Sequence, residues 1–502
     1  VIPLQTTNVL PAVTGGLGRL NWVILVAYLA TLVAVGIRFT RREKSTDDFF
    51  LAGRRIPWWA AGLSIFGTQL SAITYLAMPA RAYGTDWSLL PLNIGILVIA
   101  PVVVHVYLPL FRRRNVTTAY EYLERRFHVS LRLFGSLSFI LFQLGRMGVV
   151  ILLPALALSA VTGLSVYLCI ALIGVLSTLY TALGGMEAVI WTDALQSVVL
   201  LAGALAALVI VIGALDGGVR EFAAVGAAHR KFTLFHPRWD WQGDALAVVI
   251  LGALFTNSLI PYTTDQSVIQ RYLTTPSQQQ AARAIWVNGI LAVVAGVLFL
   301  TLGTALYVFY EAHPTRLPTL ATTDQIFAAF IVREMPSGLA GLVIAGVFAA
   351  AMSSLDSSIH SISTAVTTDF LRRFRPRLAA GTYLVFARTL TVICGVTGTA
   401  AAVLMATVQV EYLWDAFLGI MGLAGGTLAG LFLLGIFTKT VRTAHAWLGA
   451  IAGVAALVYV RLATNLSSLL YGAIGVVVCF VVGSVAGKIW PARRRPGTDP
   501  TT

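Results

Sequence analysis

Charge is scarce in this chain. Only 11% of its 502 residues are Asp, Glu, Lys or Arg, 58% are hydrophobic, and the mean hydropathy is +0.83. Soluble globular domains carry about 25% charged residues, so the sequence is read as a series of membrane spans. Cysteine is nearly absent. Cys169, Cys394 and Cys479 all fall in apolar runs, which argues against a disulfide framework or a thiolate metal centre. His, Cys and carboxylate residues nowhere adopt a catalytic spacing, and an enzyme is not expected. The first twenty residues lack the basic stretch and apolar core of a cleaved signal peptide. The tail after Ile489 is short and basic, and no signalling domain is expected there.

Long hydrophobic runs are what the chain has. About thirteen are long enough for a hydrocarbon core of about 30 Å. They lie near 21–37, 57–82, 88–110, 132–160, 163–183, 191–215, 246–268, 281–310, 338–366, 386–407, 412–436, 444–462 and 469–487. The expected fold is an all-α polytopic membrane protein. A tail at 1–20 precedes an extra helix at 21–37, two repeats follow at 57–215 and 246–407, and three further helices at 412–487 lead to a tail at 488–502. Lys and Arg accumulate in cytoplasmic loops. With an odd number of spans and the N-terminus outside, most of the 35 basic residues fall inside, among them Arg112 to Arg114, Arg271, Arg283, Arg372 and Arg373. The chain is therefore expected in a cell's inner membrane, N-terminus out and C-terminus cytoplasmic. The net charge of +14 then reads as topology and contact with anionic lipid. Scattered over short loops, it does not point to nucleic acid.

Polar residues inside the runs carry the functional signal. Ser353-Ser354-Leu355-Asp356-Ser357-Ser358 puts five oxygen-bearing side chains at mid-depth, where lipid offers them no partner. At 3.6 residues per turn Ala350, Ser353, Ser354, Ser357 and Ser361 share one face. Hard neutral oxygens of this kind suit a monovalent cation, and helix packing by small residues is the plain alternative. Arg146, deep in the fourth run, carries a planar fork that matches a carboxylate, unless it pairs internally with Asp193 or Asp356. Asp193 stands at the start of the sixth run, as a first-turn carboxylate or as a partner of Asp356 across a shared cation. Two runs are interrupted, at Gly67-Thr68-Gln69-Leu70-Ser71-Ala72-Ile73-Thr74 and at Thr256-Asn257-Ser258-Leu259-Ile260-Pro261-Tyr262-Thr263-Thr264-Asp265. They open two successive groups of runs, and a five-plus-five arrangement of inverted repeats whose discontinuous helices meet at a midplane site is expected.

Three tracts carry a resemblance: Gly184-Gly185-x-x-Ala188-Val189-x-x-Thr192-Asp193-x-x-Gln196, Trp58-Trp59-Ala60-Ala61-Gly62 and Ala349-Ala350-Ala351-Met352-Ser353-Ser354-Leu355-Asp356-Ser357. Together they resemble the sodium/solute symporter family, most of all its bacterial sialic acid transporters, over nearly the whole chain. The resemblance implies Na+ as coupling ion, held at Gly67, Leu70, Ala350, Ser353 and Ser354. A second sodium is implied at Asp193, Ser353 and Ser357, with Asp356 where the family pattern has a serine. Two carboxylates there would either bind sodium more tightly or share a proton in its place. For the solute, Arg146 falls on the family's carboxylate-binding arginine, and Ser71 and Thr74 match its polar contacts. Gln69, Leu89 and Asn93 replace a hydroxyl residue, an aromatic ring and a longer amide.

The expectation is a sodium-coupled symporter importing a carboxylate-bearing solute, with sialic acid first. Another organic acid, such as a monocarboxylate or pantothenate, or a sugar is the alternative. A sensor would need a signalling domain. A channel would need a continuous polar pore, whereas the polar residues here gather at one depth.

Overall fold

A computed structural model describes residues 18–40, 45–243, 245–317, 323–407 and 425–490. Its long elements are α1 (Arg19–Phe39), α2 (Trp58–Gln69), α3 (Ala72–Gly84), α4 (Leu90–Arg113), α5 (Tyr120–Arg126), α6 (Val129–Thr162), α7 (Val166–Gly213), α8 (Leu246–Thr264), α9 (Gln266–Leu273), α10 (Gln278–Ala312), α11 (Leu339–Phe374), α12 (Ala380–Thr407), α13 (Gly425–Phe437), α14 (Thr443–Ala463) and α15 (Tyr471–Ile489). No strand occurs among the described residues. Shorter helices such as Thr46–Leu51 and Gly218–Ala228 lie in the connections.

Ten of these helices are long and apolar enough to cross a membrane, or eleven if α2 and α3, bent by 62°, form one span. The predicted runs at 163–183 and 191–215 correspond to the two lengths of α7, 48 residues in all. Gly185, at φ 53° and ψ −151°, breaks it into two lengths. That backbone conformation is open to glycine and costly for any residue with a Cβ. The run predicted at 57–82 is likewise two helices, separated at Leu70. Of the run at 412–436, only α13 lies within the described residues, and the tails at 1–17 and 491–502 lie outside them.

Depth in the bundle follows composition. Helix α11 is buried on every face from Ala340 to Ala365 apart from Leu342. Its run of alanine, glycine and serine lets neighbouring backbones approach closely. By contrast α1, α12 and α14 expose Val23, Val26, Val385, Val396, Leu404, Ile451 and Leu462, apolar surface suited to lipid. The polar serines are therefore central, and the aliphatic stripes are peripheral.

Candidate functional site

The break between α2 and α3 releases helix-terminal carbonyls that need partners. Leu70 leaves the helix at φ −87° and ψ 100°, and Ser71 caps α3 by accepting a hydrogen bond from the Thr74 amide at 3.3 Å. The Phe66 carbonyl still receives the Leu70 amide at 2.9 Å. Those of Gly67 and Thr68 are taken by other helices: Ser353 Oγ donates to Gly67 at 3.0 Å, and Arg146 Nη2 donates to Thr68 at 3.3 Å. Gly67 also lies where a Cβ would come within 2.9 Å of Ser197 Oγ on α7. A larger residue would push the break away from its neighbours.

The hydroxyls of α11 sort into two groups. Ser357, Ser358 and Ser361 donate to carbonyls four residues back, those of Ser353, Ser354 and Ser357. This is the usual way a buried helix satisfies serine. Ser353 instead spans Gly67 and Ala350, at 3.0 and 3.4 Å. Ser354 Oγ is buried with no protein partner. Gly67, Ala350 and Ser353 thus converge beside one unsatisfied hydroxyl and the Leu70 break.

Arg146 does not take the alternative partner considered for it, since Asp193 pairs with a different arginine. Arg271, counted above with the cytoplasmic loops, is completely buried on α9 and forms a 2.9 Å ion pair with Asp193, also completely buried. Its other hydrogen bonds reach Ser357 Oγ at 2.6 Å, Ser64 Oγ at 2.8 Å and the Ser267 carbonyl at 2.6 Å. The predicted run ended at 268, so Arg271 read as loop. All eight residues of α9 are in fact buried, because it continues the broken α8 into the protein interior. Asp356 accepts from Tyr180 at 2.6 Å and from Ser357 at 3.2 Å. Asp193 Oδ1 has no protein partner.

The solute residues expected from the sequence are spread over the first break, α3, α4 and α6. Ser71 and Thr74 are half-buried, their hydroxyls 3.2 Å apart. Thr74 and Leu89 line a 610 Å³ cavity that runs along α3 past Met78 and Arg81 to Thr85. Gln69 is half-buried at the end of α2. Asn93 on α4 packs its amide against Gly296 of α10. Arg146 is half-buried at the foot of the break. His360, two turns along α11 from Ser353, hydrogen-bonds the Phe49 carbonyl at 2.9 Å and lies against the rings of Phe49 and Phe50, so its role is structural.

Residues 49–453 match the profile of the Sodium:solute symporter family. This chain belongs to that family. The symporter is 41% identical to the sodium/sialic acid symporter NanT of Aliivibrio fischeri, covering 94% of each chain. It is 37% identical to the sodium/sialic acid symporter SiaT of Proteus mirabilis, over 96% of this chain and 97% of that one. A solved substrate-bound, outward-open structure of a Na+-coupled sialic acid symporter superposes with a TM-score of 0.89 at 37% identity, covering 95% of the symporter and 99% of that chain. Beyond the residues expected from sequence, the geometry of the symporter adds Arg271, Ser64 and Tyr180 around the two carboxylates, and Gln143 beside the serine helix. Gln143 had one legible signal: it precedes Arg146 by three positions and so shares its helical face.

Proposed function

We propose that this protein is a sodium-coupled symporter that imports sialic acid across the cytoplasmic membrane. The single observation that carries the reading is the convergence of Gly67, Ala350 and Ser353 beside the unpartnered hydroxyl of Ser354, next to a break whose adjacent carbonyl holds Arg146. These neutral oxygens suit Na+ without thiolate or imidazole. A site joining α2 to α11 couples ion and solute binding, because sodium draws the two helices together where Ser71, Thr74 and Arg146 meet the solute. Each ligand then tightens the other by the same factor. Leu70 remains the fifth ligand of the reading, through the backbone at the break.

The carboxylates bear on a second ion. Arg271 neutralises one of Asp193 and Asp356 and leaves one negative charge for a mobile cation, with Asp193 Oδ1 free to ligate it. The reading of two sodium ions per solute puts the second with Asp193, Ser353 and Ser357, and Arg271 bonds Asp193 and Ser357 in this structure. The thirteen-span, five-plus-five reading gains support from the two breaks. Leu70 at φ −87° and ψ 100° and Asp265 at φ −81° and ψ 111° have nearly the same backbone geometry in corresponding spans.

Sidedness follows from charge. The end rich in Arg112, Arg113, Arg125 and Arg126 is sealed: Arg132 bridges Asp369 at 2.8 Å and Glu124 at 2.7 Å, Arg373 bonds Glu124 at 2.7 Å, and Tyr120 bonds the Thr264 carbonyl at 2.9 Å. The 610 Å³ cavity opens toward the other end. With the basic end cytoplasmic, this is an outward-facing form with the N-terminus outside. The substitutions Gln69, Leu89 and Asn93 favour a second reading, a different organic acid on the same carboxylate-binding arginine. Uptake of radiolabelled N-acetylneuraminic acid into proteoliposomes, with sodium replaced by potassium, tests the proposal. Sodium-dependent accumulation supports it. Sodium-dependent uptake of a short monocarboxylate but not of sialic acid selects the second reading.

A further inference from the structure

Two bonds of the serine helix do not belong to the ion site itself. Ser358 Oγ shares its one proton between Gln143 Oε1 at 2.8 Å and the Ser354 carbonyl at 3.0 Å. Gln143 is completely buried on α6. Its amide nitrogen reaches Asp265 Oδ1 at 3.4 Å. Asp265 sits at the second break and caps α9, accepting from the Ser267 amide at 2.8 Å and the Ser267 hydroxyl at 2.6 Å. One turn further along α6, Arg146 bonds the Thr68 carbonyl at the first break. A single face of α6 therefore touches both discontinuous spans, and through Gln143 it also touches the helix that bears Ser354.

We propose that Gln143 is a positioning residue that carries the effect of sodium from Ser353 and Ser354 to the second broken span. An amide is the side chain that can do this, because one end accepts from Ser358 while the other donates to a carboxylate. A Ser354 whose hydroxyl ligates an ion fixes its own peptide carbonyl, hence the Ser358 hydroxyl, hence the orientation of the Gln143 amide and its hold on the Asp265 cap. The first broken span needs no such relay, since Ser353 bonds Gly67 directly. Sodium thereby orders both breaks at once, by two routes of different chemistry.

The inference rests on sodium binding at Ser353 and Ser354, and its test separates the two. Amide hydrogen exchange of the full-length protein in nanodiscs, with sodium chloride against choline chloride and no solute present, reads protection at Trp58–Gly84 and at Gln266–Leu273 independently. In the parent protein sodium should slow exchange in both segments by about fivefold or more. In Gln143→Leu the slowing should persist at the first segment and fall below about twofold at the second. Ser358→Ala, which deletes only a hydroxyl and decides the matter should the leucine variant not fold, should do the same. Combining the two changes should add nothing further, because both cut one chain of bonds. Sodium protection of Gln266–Leu273 that survives Ser358→Ala or Gln143→Leu overturns the relay while leaving the sodium site standing. Absence of sodium protection at both segments of the parent overturns the relay together with the sodium reading.

Discussion

The buried pair of Arg271 and Asp193 makes the most demanding prediction. Each side chain is 0% exposed and the charged atoms are 2.9 Å apart. At an effective dielectric of about 20, such a pair attracts by about 6 kcal/mol, most of it cancelled by the loss of hydration. Arg271→Met replaces the apolar stem of the arginine but removes the cation, leaving Asp193 and Asp356 in the interior without the guanidinium that pairs with Asp193. Loss of one member of a buried pair costs about 3–5 kcal/mol, a large share of the stability of a typical domain. Thermal unfolding of purified protein in detergent should therefore show Arg271→Met melting well below the parent in choline chloride. Sodium should raise its melting temperature by more than it raises that of the parent, since a mobile cation now replaces a tethered one. Adding Asp193→Asn to Arg271→Met should recover most of the loss, because removal of both charges is close to neutral. The reasoning is refuted if Arg271→Met is as stable as the parent without sodium, or if the double variant is less stable than the single one.

Three other outcomes follow from the site. Ser353→Ala and Ser354→Ala should each raise the sodium concentration needed for half-maximal uptake by about tenfold, the equivalent of one ligand worth about 1.4 kcal/mol, and unchanged sodium activation in both would remove the ion from this position. Arg146→Lys should weaken binding of an acidic solute by about tenfold to a hundredfold, because an ammonium loses the bidentate fork; calorimetric titration with unaltered affinity would make the arginine structural. Asp356→Ser should lower the affinity for the second sodium while keeping more than one sodium per solute, as read from reversal potentials in proteoliposomes, and a parent protein giving one sodium per solute would defeat the two-ion reading.

How much of this was legible in the sequence depends on whether a signal was local. Hydropathy alone determined the membrane class, because apolar runs of this length have no other stable solvent. The break at Leu70 and the serine patch of α11 were legible for the same reason: a polar group in an apolar run is costly unless it is used. Helix boundaries were less so. The run read as 246–268 stops short of Leu273, where α9 ends, because the residues after Asp265 mix polar with apolar side chains. Only the tertiary structure decided the partners of the charges. Arg271 read as loop because eight residues of mixed polarity after Asp265 look exposed, yet α9 is enclosed on all sides and its guanidinium meets a carboxylate 78 positions away. Gln143 read as one polar residue among Phe142, Leu144 and Met147, and its use became visible only once Ser358 and Asp265 were brought to either end of its amide. Sequence determines which groups must find partners, since each residue carries its own desolvation cost. The choice of partner belongs to packing, because it depends on helices that are neighbours in space and distant along the chain.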